Sequence, residues 1–150
     1  MNTNPETITI KPITDNTQLA QLLSACALPV SDICSSGSLQ FFGAYSGAQL
    51  IGVIGLEGYA PQVLLRSLAV TPERRGSGMG KSLVEYAERH AAAQGIDTLY
   101  LLTTTAAHFF SKLDYGAATR DEAPASIRAT AQFSGLCPSS ATLMCKRLSP

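Results

Sequence analysis

No apolar run in this chain reaches the roughly 18 residues that a membrane-spanning helix needs. The stretch Met1–Thr9 is largely polar, without the charged and then apolar segments of a secretory leader. The four cysteines, Cys26, Cys34, Cys137 and Cys145, contain no CxxC pair, and His90 and His108 lie far from them, so the spacing of a zinc site is missing. There is no excess of either charge: 11 Lys and Arg balance 11 Asp and Glu, which provides no general attraction to polyanions. Only Arg74, Arg75 and Lys81 approach a basic patch. These absences predict a cytoplasmic protein with reduced thiols, no metal and neither nucleic acid nor membrane as partner.

Low-complexity runs are also lacking, and 45% hydrophobic against 15% charged residues is the balance of a chain that folds. With 150 residues it has material for one core, since a chain of that size buries roughly two-thirds of its unfolded surface. A single domain over 1–150 is expected, and its apolar strands would support a homodimer.

Thr7–Ile13 alternates Ile8, Ile10 and Ile13 with polar residues, the period of a half-buried strand. Asp15 can cap a helix carrying Leu19, Leu22, Leu23 and Cys26, with Pro29 just past its end. Ser31–Ser38 reads as a Ser- and Gly-rich loop. Leu39–Tyr45 and Gln49–Tyr59 form a hairpin across Ser46-Gly47-Ala48, and Val63–Val70 is an apolar strand broken only by Arg66 and Ser67. Met79, Leu83, Tyr86, Ala87 and His90 share one face of a helix over Gly78–Gln94, which Gly95 terminates. A strand over Thr98–Thr103, a helix over Ala106–Leu113 and a closing strand over Thr142–Leu148 complete a βαβ arrangement on a mixed sheet, an α/β fold.

Chemistry concentrates where the apolar strand meets the long helix, in Val70-Thr-Pro-Glu-Arg-Arg-Gly-Ser-Gly-Met-Gly-Lys-Ser82. Gly76, Gly78 and Gly80 let the backbone turn tightly and a ligand approach, and the helix start offers free N–H groups and a positive dipole end. A turn followed by a helix cap is the plain alternative. Two arginines, a strand before and a helix after favour a diphosphate cradle. Gly80-Lys81-Ser82 lacks the glycine that a P-loop needs five residues earlier, where Arg75 stands, and Gly-x-Gly-x-Gly is not the dinucleotide fingerprint.

Arg75-Gly-Ser-Gly-Met-Gly80 resembles the Arg/Gln-x-x-Gly-x-Gly/Ala signature of GNAT acetyltransferases, and Leu68-Ala-Val-Thr-Pro72 resembles the strand end that precedes it. The resemblance extends to the element order from Thr7 to Leu148. It implies a mixed sheet of about six or seven strands, splayed between strands four and five and flanked by helices. Acetyl-CoA would lie in the gap. Leu68, Ala69 and Val70 would offer backbone groups to the pantetheine, and Arg75, Gly76, Ser77, Gly78, Met79, Gly80, Lys81 and Ser82 would hold the pyrophosphate, with Phe109 nearby. The implied reaction is direct attack of a small, anionic primary amine on the thioester in a ternary complex, with an acyl-CoA sensor as the alternative. Ala123–Ala141 resembles a GNAT branch named for arsenic-resistance operons, which points to an amino-acid-like acceptor such as an arsenic or phosphinate analogue of glutamate.

Acetyl transfer needs an oxyanion donor, a base for the amine and an acid for the thiolate. The resemblance gives the first role to the Val70 N–H. Glu57, at the end of its strand, is the candidate base. In Phe109-Phe-Ser-Lys-Leu-Asp-Tyr115 the family's usual tyrosine is replaced by Phe110, leaving Ser111, Tyr115 or water as acid; a core aromatic is the alternative for Tyr115. Arg66 cannot serve as a base. It would bind the acceptor's anionic group, with help from Arg128, unless a salt bridge to Glu57 or Glu73 occupies it. Thr103 would line the acceptor site. His108 and Cys137 read as ordinary surface and packed residues.

Overall fold

The computed structural model describes residues 8–14, 16–25, 39–76, 78–128 and 141–148. The alternating isoleucines form β1 (Ile8–Pro12) at one edge of the sheet, where Pro12 can lack a ladder N–H. Helix α1 (Asn16–Ala25) buries Leu19, Leu22 and Leu23. The expected cap Asp15, Cys26, Pro29 and the Ser31–Ser38 loop lie outside the described residues.

Strands β2 (Leu39–Ser46), β3 (Gln49–Glu57) and β4 (Gln62–Val70) follow as an antiparallel meander. A short 3-10 turn at Pro72–Arg74 leads into α2 (Met79–Ala93). The chain then returns as β5 (Thr98–Thr103), parallel to β4. Helix α3 (Ala107–Ser111), β6 (Gly116–Ala118), a 3-10 turn at Arg120–Glu122, α4 (Ala125–Arg128) and β7 (Thr142–Arg147) complete the order. The sheet has seven strands in the order β1-β2-β3-β4-β5-β7-β6. It is the expected mixed sheet, with β7 inserted between β5 and β6.

Helices cover both faces of the sheet. Leu83, Val84, Ala87 and Ala91 of α2 pack on Phe42, Ile54, Leu56, Val63 and Leu65, and the His90 ring lies tilted against the Phe42 ring, with centres 4.6 Å apart. Phe41, Val53 and Ala69 meet α1 on the opposite face, where Leu64 meets Ile127 of α4. Helix α3 is shorter than its periodicity predicts. Its end is closed by Asp114 in a left-handed conformation (φ 75°), and the Tyr115 N–H returns to the Phe110 carbonyl.

Two irregularities shape the centre of the sheet. Pairing between β4 and β5 covers only Gln62↔Thr98, Val63↔Leu99 and Leu64↔Tyr100, although β4 continues to Val70 along β3 and β5 to Thr103 along β7. The two strands therefore part beyond Leu64, as the splayed sheet requires. The β3–β4 register also slips between Val53 (opposite Ala69) and Gly55 (opposite Arg66). Ser67 and Leu68 thus share one opposing residue, Ile54, in a β-bulge whose first residue, Ser67, has φ 59°.

Candidate active site

The backbone of β4 decides what faces the gap. The Thr71 N–H donates to the Ile51 carbonyl (3.0 Å), so Thr71 is aimed at β3. In an antiparallel ladder this direction alternates from residue to residue, which turns the N–H and C=O of Val70 toward β5. Arg75 Nε donates to the Val70 carbonyl at 3.1 Å and ties the strand end to the following loop. The Thr71 hydroxyl is buried beside it, without a hydrogen-bond partner among the described residues; nothing in the sequence distinguishes this threonine.

Gly78 is the N-cap of α2, in a left-handed conformation (φ 86°), and the helix begins with the Ser82 N–H on the Gly78 carbonyl. The N–H groups of the first helical turn have no intrahelical acceptor. A Cβ added at Gly76 or Gly78 would meet no atom within 4 Å, so the loop opens onto free space, whereas one at Gly80 would approach the Phe109 ring to 3.3 Å. Phe109 therefore packs against the helix start. Lys81 points into a groove between α2 and α3 shared with Glu88, Lys112 and Lys146. The acidic side chains Glu85, Glu88 and Asp114 share that groove, so it is the open glycine loop, with the N–H groups of the first helical turn, that fits a diphosphate. Ser77 lies outside the described residues.

On the face that carries Phe41, Glu57 and Arg66 are the buried charged residues among those described (8% and 5% exposed). Arg66 Nη1 donates to Glu57 Oε1 at 3.0 Å, and Arg66 Nε donates to Ser67 Oγ at 2.9 Å. The guanidinium carbon lies 5.8 Å from the Phe41 ring centre. Gly55 makes this close packing feasible, because a Cβ there would fall 2.8 Å from the Phe41 ring and 3.3 Å from Arg66 Cγ. The expectation that Arg66 itself grips the acceptor is revised by this geometry: its side chain is 1% exposed and engaged with Glu57 and Ser67. The salt bridge held open in the sequence reading is the one formed. Glu57, by contrast, leaves Oε2 without a hydrogen bond among the described residues.

Tyr115 is also reassigned. Its hydroxyl donates to Glu88 Oε2 (2.9 Å), and Lys146 Nζ bridges both Glu88 oxygens (3.0 and 3.2 Å). Burial, then the Glu88 charge, pushes the Tyr115 phenol well above its ordinary value, which makes it a poor proton donor to a thiolate. Tyr115→Phe is expected to cost about 1–2 kcal/mol, which is a fall in Tm of roughly 2–8 °C by calorimetry, with turnover unchanged within about twofold. Phe110 is buried between Phe109 and Tyr115. The Thr103 hydroxyl accepts the Ala106 N–H (2.9 Å) and shapes the turn before α3. Arg128 is exposed at the end of α4.

A mixed sheet that parts at its centre, beside an open glycine loop at a helix start, defines an α/β fold with a gap between two central strands. The acetyltransferase (GNAT) domain model matches residues 37–116, more than half of the sequence, and the chain belongs to this family. Among curated proteins, the amino-acid acetyltransferase of Pseudomonas fluorescens (strain Pf0-1) is 43% identical over 61 residues, covering 41% of this chain and 14% of that protein. The chain thus matches only a small part of that relative's length. Among solved structures, N-acetylglutamate synthase from Neisseria gonorrhoeae, complexed with coenzyme A and N-acetyl-glutamate, superposes with a TM-score of 0.81 at 19% identity, over 98% of this chain and 36% of that one. A GNAT-family acetyltransferase from Staphylococcus aureus Mu50 gives 0.77 at 19% identity, over 95% and 100%. These likenesses establish the fold. Among the described residues, no helix is long and apolar enough to cross a membrane, and no group of three His, Cys, Asp or Glu could hold a metal ion.

Proposed function

We propose that the chain, as one domain over 1–150, is an N-acetyltransferase that moves an acetyl group from acetyl-CoA to the primary amine of a small amino-acid-like acceptor. The observation that carries this reading is the pair of left-handed glycines, Gly76 and Gly78, open to space at the end of the gap between β4 and β5. Acetyl-CoA supplies an activated thioester. Leu68, Ala69 and Val70 would hold the pantetheine through their backbone, and Arg75 through Ser82 would hold the pyrophosphate, with Phe109 closing one side.

The Val70 N–H, aimed toward β5, would stabilise negative charge on the acetyl oxygen. Glu57 Oε2 would take the amine proton directly or through water. As the nitrogen–carbon bond forms, the carbon–sulfur bond breaks, and the thiolate takes a proton from solvent, since Phe110 has none to give. No covalent bond to the protein is needed.

An anionic acceptor, including an arsenic or phosphinate analogue of glutamate, suits Arg128 and Thr103 as flanking groups, with Arg66 acting through Glu57. Support for the amino-acid class comes from the relatives named amino-acid acetyltransferase and from the N-acetyl-glutamate in the Neisseria complex. The arsenic reading rests on the resemblance of Ala123–Ala141, of which 129–140 lie outside the described residues.

The test is CoA thiol release with product masses, offering plain amino acids, glutamate-like phosphinate and arsenic amino acids, and polyamines. Acceptor-dependent thiol with a product gain of one acetyl group is expected. Tight acetyl-CoA binding without thiol release would instead identify a sensor, the alternative favoured by the apolar Phe110.

A further inference from the structure

The proton acceptor and the CoA-facing backbone lie on different strands, and a single side chain reaches both. We propose that Arg66 is a positioning residue that holds Glu57 for proton transfer with Nη1 and holds the left-handed bulge at Ser67 with Nε. The proposal rests on the acetyl-transfer reading above.

The bulge matters because of its parity. One extra residue on β4 shifts which backbone groups beyond it face β3 and which face β5. With the bulge, Ala69 stands opposite Val53 and Val70 opposite Gly52, and the N–H of Val70 is turned to the gap. Without it, the Arg66–Gly55 register would continue and set Ala69 opposite Gly52. The next position would present the wrong groups to the ligand.

The left-handed region that begins such a bulge is ordinarily glycine's. Serine there is strained, and the bond from Arg66 Nε to its Oγ at 2.9 Å is the local compensation. The other end of the guanidinium holds Glu57 Oε1 at 3.0 Å, so the second carboxylate oxygen is set relative to the same bulge. Burial strengthens both contacts: the side chain is 1% exposed and is pressed between Phe41, Gly55 and β4.

The test compares Arg66→Met, Ser67→Gly and the double variant by acetyl-CoA calorimetry, acceptor and acetyl-CoA KM, kcat and Tm. Arg66→Met should weaken acetyl-CoA binding about tenfold and lower kcat about 30-fold or more, in the range of losing a positioned catalytic contact. Ser67→Gly alone should keep acetyl-CoA affinity within about threefold, because glycine needs no support at that φ, and should lower Tm, because the buried Arg66 Nε loses its acceptor. In the double variant, glycine should restore acetyl-CoA affinity to within about threefold while kcat stays low, since Glu57 remains unheld.

Three results would overturn the proposal: a lowered Tm with kcat and acetyl-CoA affinity intact, a rise confined to the acceptor KM, or no rescue of affinity by glycine. If Arg66→Met does not fold, Arg66→Lys takes its place. It keeps the charge on Glu57 but not the second bond, so affinity should fall and Ser67→Gly should restore it; unchanged affinity in that lysine variant would reject the idea. A wild-type protein that binds no acetyl-CoA would reject the acetyl-transfer reading instead, whatever the variants do.

Discussion

Gly78→Trp is expected to abolish acetyl-CoA binding, with a loss of at least about 100-fold in affinity, because the indole would fill the space that the pyrophosphate needs. A Cβ at Gly78 meets nothing within 4 Å, so the larger ring can be accommodated without displacing the core. What the substitution costs in stability is backbone strain, since φ is 86°. That penalty is about 1–2 kcal/mol, or roughly 2–8 °C in Tm for a chain of this size. Calorimetric titration and a melting curve on the same sample separate the two effects. A folded tryptophan variant with wild-type affinity would remove the cradle from the site.

Glu57→Gln should lower kcat by on the order of 10²- to 10³-fold, the usual contribution of a positioned base, and leave acetyl-CoA affinity within about twofold. Glutamine still offers an oxygen to Arg66 Nη1, but it cannot accept the amine proton and it leaves a buried cation without its counter-charge. Some loss of stability is therefore expected. Turnover must be scaled to the fraction of protein that binds acetyl-CoA. A variant that retains wild-type kcat would show that water or another group removes the proton.

Much of the fold was legible because its signals are local and periodic. Ser46-Gly47-Ala48 marks the β2–β3 turn, with strand ends at Ser46 and Gln49. The helix expected over Gly78–Gln94 spans Met79–Ala93, with those two residues as its caps. Strand β6, three residues of Gly-Ala-Ala, has no alternation to read; it exists because β7 provides a ladder for it. Helix α4 is four residues long and owes its place to Ile127 packing on Leu64.

The candidate site divides in the same way. The open loop was readable, since glycine at a strand-to-helix junction reports its own backbone conformation. The bulge was not, because a left-handed serine is indistinguishable in sequence from any other. Arg66 and Glu57 stood out as charges on apolar strands, but only the register of β3 against β4 shows that they face each other. For Tyr115 the sequence left an acid and a core aromatic both open, because the position of an aromatic near the site does not say where its hydroxyl points; Glu88, 27 residues earlier, answers that.

The three-rung contact between β4 and β5 has a mechanical side. It joins the four-stranded antiparallel unit β1-β2-β3-β4 to a three-stranded unit, β5-β7-β6, in which the β5–β7 ladder runs the full length of β5. The β5–β7 ladder is complete and the β3–β4 ladder is interrupted only at its bulge, so the three-rung β4–β5 seam is a narrow line between the two units, and α2 ties them together through Glu88 on Lys146. Breathing motions should thus concentrate along that line, and a ligand threaded into it would act as a splint, making two loosely coupled folding units melt as one.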